Sequence, residues 1–288
     1  MASAAPQVQY RDEFIAGFAQ RQSLLKDTTT KEMMIKGNQA TFLVTTTSGT
    51  ASTRGVNGLI PVSENSNTQV TATILEKHDL REMTGFNIFQ SQGDQRAIMQ
   101  MNTMSIINRD MDLAILAALA AGTLDTGATA APASNLMIAK ARVGLQNNGV
   151  PFDGNIFCAI SPSFHEYMLE LPNFSSADYV VVKPNVNYHG MNASDAVKAG
   201  HGWIEWGGVK WIITSLLTGI GTSDETCIMY HRAAIGHAVD KGGIQSLIGY
   251  EEKQDNSWSR CTLFHGAKLL QNTGVVLMHH DGSAHTVS

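Results

Sequence analysis

Apolar residues at Ile98, Met101, Met104, Ile107, Met111, Ile115 and Leu119 recur in steps of three and four, the spacing that lines one side of an α-helix. They lie in residues 94–122, DQRAIMQMNTMSIINRDMDLAILAALAAG, which predict one uninterrupted amphipathic helix of about eight turns. No proline falls between Pro61 and Pro132, so nothing breaks it, and Asp94 is placed to cap its first turn. At 1.5 Å per residue the helix reaches about 43 Å. A rod of that length suits a building block better than a compact enzyme.

Upstream the pattern differs. Phe14, Phe18, Gln22 and Leu25, with Ile15 beside them, share one helical face, so a short amphipathic helix is expected within 7–26. DTTT at 27–30 stops it, because Asp and Thr side chains compete for the backbone. KEMMIKG and QATFLVTTT then read as strands, SGTASTRGVNGLIPVSENSNTQ (48–69) as turn formers, and VTATILE (70–76) as a returning strand. Residues 37–76 thus form a long two-stranded arm with a mobile tip, charged only at Arg54, Glu64 and Glu76. An isolated hairpin is marginal in water, so this arm is expected to lie on a neighbouring molecule.

DLREMTGFN (79–87) leads into the long helix, and GTLDTGATAAPAS (122–134) is the best candidate boundary in the chain. Beyond it the pattern is α/β. SNLMIAKARVGLQNNGV is a helix with a Ser/Asn start and a Gly terminator, and SPSFHEYMLEL is a second helix with Pro162 just inside a Ser cap. NIFCAIS is a buried strand; YVVVKP, GWIEWGGVKWIITSLL, ETCIMYHRAAIGHAV, IQSLIGYEEKQ, WSRCTLFHG and GVVLMHH supply further strands. Tight turns are expected at Gly207-Gly208 and at residues 255–257.

Composition narrows the function. Charged residues make up 16%, against about 25% in ordinary soluble domains, which suits a surface largely in contact with other protein. The net charge is −5 and no Lys/Arg run occurs, so the basic stripe of a nucleic-acid binder is missing. No signal-peptide pattern opens the chain and no run approaches eighteen apolar residues. Cys158, Cys227 and Cys261 are far apart and odd in number, hence buried reduced thiols of a protein made in the cytoplasm.

Candidate chemistry fails residue by residue. His165-Glu166 lacks the second His that a zinc-protease helix needs, because position 169 is Leu. His279 and His280 sit on opposite faces of a strand and cannot chelate together. No nucleophile elbow, phosphate loop, dinucleotide fingerprint or paired-cysteine zinc spacing is present. Glu251-Glu252 reads as a solvated edge, and Trp203, Trp206 and Trp211 as packing around the Gly-Gly turn. No catalytic, cofactor-binding or metal residue is assigned, and the chain is not read as an enzyme.

The order of elements resembles the major capsid proteins of tailed double-stranded DNA phages, with the Hong Kong 97-type shell fold. YRDEF…QRQSLLKDTTTKEMMIKGNQATFLV…GTASTRGVNGLIP looks like the N-terminal arm and extended loop of short-tailed podophage capsid proteins. DQRAIMQMNTMSIINRDMDLAILAAL looks like the family's spine helix. SPSFHEYMLEL, WGGVKWIITSLL and YHRAAIGHAV…LIGYEEKQDNSWSRCTLFHGAKLLQNTGVVLM look like the axial domain and the strands closing the peripheral domain.

The resemblance implies an α+β fold with an N-terminal arm (1–36), an extended loop (37–76), a peripheral domain carrying the spine helix (77–129 and 246–288) and an axial domain (130–245). It implies pentamers and hexamers that close an icosahedral shell around double-stranded DNA, without sequence-specific contacts to it. A portal, a separate scaffolding protein and an optional decoration protein are the expected partners; no cofactor or membrane is. The place of action is the virion capsid, assembled in the host bacterial cytoplasm. Residues 37–76 contain no lysine, so the isopeptide weld of some relatives is not expected and the shell is read as non-covalent. Phe14, Phe18 and Leu25 are the expected anchors of the N-terminal arm, and Arg54 the expected intersubunit ion-pair residue. The spine's apolar stripe is expected to pack on strands at 70–76 and 245–265. An encapsulin-type compartment shell and a soluble α/β enzyme are the alternatives.

Overall fold

The rod is present as helix α2, Gln95–Leu119, about 37 Å long. The computed structural model describes residues 22–283 except 36, 47–50, 52, 59, 61–65, 91–93, 128 and 172–202. Residues 7–21 of the helix expected within 7–26, the anchors Phe14 and Phe18 and the strand expected at YVVVKP lie outside the described residues; the end of that span, 22–25, is not α-helical, and a short 3-10 turn, Lys26–Thr28, follows it. Asp94 caps α2 as expected, its Oδ1 accepting from the Ala97 N–H at 3.2 Å. The buried side of α2 differs from the expected stripe in its first half. Met99, Thr103, Ile107, Met111, Ile115 and Leu119 are buried, whereas Met101 and Met104 are 41% and 37% exposed. Thr103 holds an inward position on this side, its hydroxyl satisfied by donating to the Gln100 carbonyl at 2.9 Å. A hydropathy pattern does not score threonine as an inner residue.

Two compact units divide the chain. Of the described residues, the first takes Gln22, 76–110 and 242–264. It contains most of β4 (Leu75–Thr84), α1 (Gly85–Gln90), the first part of α2, β10 (Gln245–Glu251) and β11 (Asn256–Leu269) as far as Phe264. β10 and β11 form an antiparallel hairpin in which Gln245 faces Thr262 and Glu251 faces Asn256. Its turn carries Asp255 at φ 52°, and the Asp255 carbonyl accepts from Gly85 N at 2.8 Å. Gly249 faces Trp258 across the ladder, and the indole lies so close that a Cβ on Gly249 would sit 2.3 Å from it. Strand β4 pairs with β11; the sequence reading had this stretch leading directly into the helix. Its KHDLRE core is charged on both faces because the strand is largely exposed, so no alternating apolar pattern marks it. Helix α2 meets the hairpin through Arg96 Nε to Ser257 Oγ (3.2 Å) and Gln100 Nε2 to Ser246 Oγ (3.0 Å).

The second unit takes residues 23–75, 111–241 and 265 onward. Strand β1 (Thr30–Ile35) lies parallel on β9 (Ile235–Asp240), and β9 pairs antiparallel with β11 from His265 to Leu269. Strands β2 (Gln39–Thr46) and β3 (Ser66–Thr73) pair antiparallel, Gln39 with Thr73 through Thr46 with Ser66. A second sheet runs in the order β12 (Val275–His280), β8 (Glu225–His231), β5 (Ile156–Ile160), β7 (Val209–Ile213), β6 (Ile204–Trp206). All of IFCAI in β5 is buried, as a continuous apolar run requires of a central strand. Helices α3 (Asn135–Asn147) and α4 (Pro162–Glu170) join the same core with the end of α2. Ser134 Oγ accepts from Met137 N, and Ser161 Oγ from Phe164 N ahead of Pro162, so both caps stand where expected. Gly207 and Gly208 turn β6 into β7 at φ 62° and 76°. Trp211 is buried and donates from Nε1 to the Trp206 carbonyl at 3.1 Å.

No boundary between the compact units falls in the small-residue stretch 122–134. That stretch is bridged into the second sheet, Asp125 to Leu277 and Ala131 to His280. Small residues permit the close approach here rather than a hinge.

Candidate assembly surfaces

The root of the arm is fixed by a buried carboxylate. Asp112, buried on α2, accepts from Ser23 Oγ at 2.5 Å, Leu24 N at 2.9 Å and Leu25 N at 3.1 Å. The short helical turn Lys26–Thr28 follows, where the Thr28 and Tyr230 hydroxyls share a hydrogen bond of 2.5 Å. Arg232 Nε then donates to the Thr29 carbonyl at 3.1 Å. Leu25, one expected anchor, is completely buried in its own chain's main core. Sequence reasoning found the leucine but passed over Asp112, because a lone acid in a polar-looking helix turn gives no signal by itself.

The two-stranded arm begins on its own chain. Ala40, Phe42 and Ala72 are buried with Ala238, and the Phe42 ring lies so close to Gly236 that a Cβ there would meet it at 2.8 Å. The base therefore has a cover within the second unit, where the sequence reading gave it none. The side chains of the other face stay exposed: Thr41, Leu43 (67%) and Thr45, opposite Thr71, Gln69 and Asn67. Toward the tip, Arg54, Val56 and Ile60 are exposed. Arg54 thus stands where an ion pair with another molecule can reach it.

The first unit carries a second set of exposed apolar groups. Phe86 and Phe89 on α1 are 64% and 85% exposed, three residues apart on one helical face. Leu247, Ile248 and Tyr250 on β10 are also exposed. An open cleft of about 320 Å³, lined by Trp258, Arg260, Glu82 and Glu251 among others, lies in the same unit. Exposed apolar residues scattered singly are normal on any surface, so these groups are candidates for contact rather than an interface in themselves.

Among the described residues no group of His, Cys, Asp and Glu could hold a metal ion, and no helix is long and apolar enough to cross a membrane. Cys158, Cys227 and Cys261 are free and buried; burial pushes the Cys227 thiol up to about 12 and Cys158 well above its usual value. Raised so far, the Cys158 and Cys227 thiols are inert rather than nucleophilic. His279 and His280 do point apart. His279 Nδ1 lies 2.8 Å from Asp224 Oδ1, while the buried His280 ring packs edge-on against Phe164 and Tyr167.

A dense polar centre is buried too. Glu225 is inaccessible and accepts from Ser161 Oγ, from Ser163 Oγ at 2.6 Å and from Gly221 N at 2.7 Å. His280 Nε2 stands 4.0 Å away. Serine, carboxylate and imidazole are thus gathered without access for a substrate, which makes this a structural knot. The sequence reading missed it because its members are spread over more than a hundred residues of chain.

The phage capsid protein family model matches residues 2–281. The chain belongs to the phage capsid protein family. A comparison with curated proteins finds no match by sequence. The chain's fold is similar to a structure from Mycobacterium phage Che8, at TM-score 0.71 and 16% identity, covering 95% of this chain and 96% of that one. It is similar also to the capsid of Ralstonia phage GP4 (TM-score 0.67, 11% identity, 96% and 95% covered). The capsid of a native GTA particle matches at TM-score 0.68 and 12% identity, with 96% and 95% covered. At such identities the likeness is one of fold. The capsid protein thus has the expected Hong Kong 97-like α+β architecture, and neither the encapsulin-type shell nor the soluble enzyme is favoured.

Proposed function

We propose that this phage capsid protein is the shell subunit of a tailed phage, assembling as pentamers and hexamers into an icosahedral container for double-stranded DNA. The observation that carries this is the arm. Its base is covered by its own chain, while Leu43, Val56 and Ile60 farther out are exposed, an arrangement that gains stability only against other copies. The four regions of the subunit are then an N-terminal arm, an extended loop, a peripheral domain with the spine helix and an axial domain, with the boundaries given above. The role is structural, not enzymatic, and is carried out in the virion after assembly in the bacterial cytoplasm. A scaffolding protein, a portal and an optional decoration protein complete the set of partners, and the DNA meets a wall without a basic stripe.

Negative-stain microscopy of the full chain, expressed with and without a scaffolding partner, tests this reading. Closed shells or ring-shaped capsomers are expected, and the particles should run as monomer on a reducing, denaturing gel. A small monodisperse species under all conditions would refute it.

Arg54 is the proposed intersubunit ion-pair residue of the loop. Particles of Arg54→Glu should form in lower yield and dissociate at lower denaturant concentration than the parent. Charge reversal of a paired residue costs on the order of 1 kcal/mol per contact, multiplied over every copy in a shell. Wild-type yield and stability would remove Arg54 from the interface.

A further inference from the structure

Strands β4, β10 and β11 of the first unit present one covered face and one open face. Ser246 of β10 and Ser257 of β11 turn toward α2, where Gln100 and Arg96 donate to them. Alternation sends Leu247, Gly249 and Glu251 to the other side, opposite Arg260, Trp258 and Asn256 of β11. The cleft of about 320 Å³ lies on that side, and Leu80 and Glu82 of β4 complete its wall.

Its chemistry suits a cation with an apolar neighbour. Glu82 and Glu251 outnumber Arg260, which leaves the lining with one negative charge in excess. Among the described residues neither carboxylate is engaged in a hydrogen bond or ion pair. Asn256 Oδ1 is buried and has no hydrogen-bond partner there either. An acceptor left so is costly. A planar guanidinium can bridge carboxylate and amide oxygens while its flat face lies on an indole such as Trp258.

The extended loop carries one such group. Arg54 is the only Lys or Arg in residues 37–76, and it is exposed. Directly after it the Gly55 carbonyl accepts from Gly58 N at 2.9 Å, and Gly58 takes a φ of 74°. This tight turn holds Val56 fully exposed. Arg54 and Val56 thus form a small knob, one charge beside one aliphatic group, that matches the cleft in both respects.

We infer that the Arg54–Gly58 turn of one copy seats in the Glu82–Glu251 cleft of a second copy. Val56 lies against Leu80, and Arg54 is shared by the two carboxylates and Asn256 Oδ1. This contact supplies the partner of Arg54 and rests on the shell reading above. It is heterologous, with the knob on one copy and the cleft on the next, so each copy gives one contact and receives one. Such contacts propagate around a ring instead of ending in a dimer.

Charge exchange on full-length subunits tests it, with assembly followed by light scattering against concentration. Arg54→Glu, and separately Glu82→Lys together with Glu251→Lys, should each raise the concentration needed for assembly. A rise of about fivefold is expected, the factor for one exposed ion pair. All three changes combined should return it to within about twofold of the parent. Melting of the unassembled subunits separates assembly from folding and is expected to stay unchanged, because these side chains are exposed. In particles built from a mixture of Val56→Cys and Leu80→Cys chains, a short bis-maleimide should join unlike chains, since the native cysteines are buried. A cleft variant that assembles like the parent would overturn the contact and leave the shell reading intact. So would a combined variant no better than the worse single one, or particles without the mixed-chain product. A parent that forms no particles removes the shell reading and this contact with it.

Discussion

Replacing Glu225 by alanine is expected to destabilise the capsid subunit by about 3–5 kcal/mol, an effect on the scale of breaking a buried polar network. The carboxylate draws together the start of β8, the first turn of α4 through Ser161 and Ser163, and the loop at Gly221. The chain just past β12 reaches it as well: a Cβ on Gly282 would sit 2.2 Å from Glu225 Oε1, so a side chain there would displace the carboxylate. Alanine leaves two serine hydroxyls and one backbone N–H facing a void of side-chain size, with His280 beside it. Glu225→Gln keeps the volume and one acceptor oxygen, so its loss should be smaller than that of alanine. Urea unfolding of the unassembled subunit measures both, and a loss below about 1 kcal/mol for alanine would show that water or rearrangement satisfies the donors.

The second large effect is expected from Gly266→Ala. A Cβ on this residue of β11 would stand 2.1 Å from the Thr73 carbonyl oxygen, a backbone atom at the foot of the arm that cannot swing aside. Relief requires β11 and the end of β3 to separate, at a cost of about 3 kcal/mol. The arm's base would shift with it, so particle yield should fall more steeply than subunit stability. Gly144→Ala in α3 is the matched control. Its nearest neighbour is Val276 Cγ2 at 3.4 Å, and helix propensity favours alanine there by up to about 1 kcal/mol. Thermal melts of the two subunits together with particle counts check this; equal melting points for both variants would contradict the geometry.

Which of these features could be read from the sequence follows from how each is encoded. Local signals were legible: Asp94, Ser134 and Ser161 cap their helices, Pro162 opens one, and Gly207-Gly208 turns a hairpin. The continuous apolar run of β5 announced a central strand. Residues that act across long sequence distances were not legible. Asp112 holds Ser23 from 89 residues away, Tyr230 meets Thr28 across 202, and Glu225 gathers its serines across 64 and 62. Strand β4 escaped notice because its edge position keeps it charged, and Thr103 because a satisfied hydroxyl can face inward. The resemblance to a capsid fold was carried by element order, which tolerates such local misreadings.

The register of β2 on β3 has a consequence for how this arm can vary among related shells. Ala40, Phe42 and Val44 share one face with Ala72 and Val70, and their neighbours point the other way. Adding or removing residues two at a time on each strand, beyond Phe42, changes the arm's reach by about 7 Å per step and leaves the seated base untouched. A single-residue insertion before Phe42 would instead turn the phenylalanine to solvent. Arm length is therefore free to evolve in discrete increments while its attachment stays fixed, which lets shells of different spacing be built from one subunit plan.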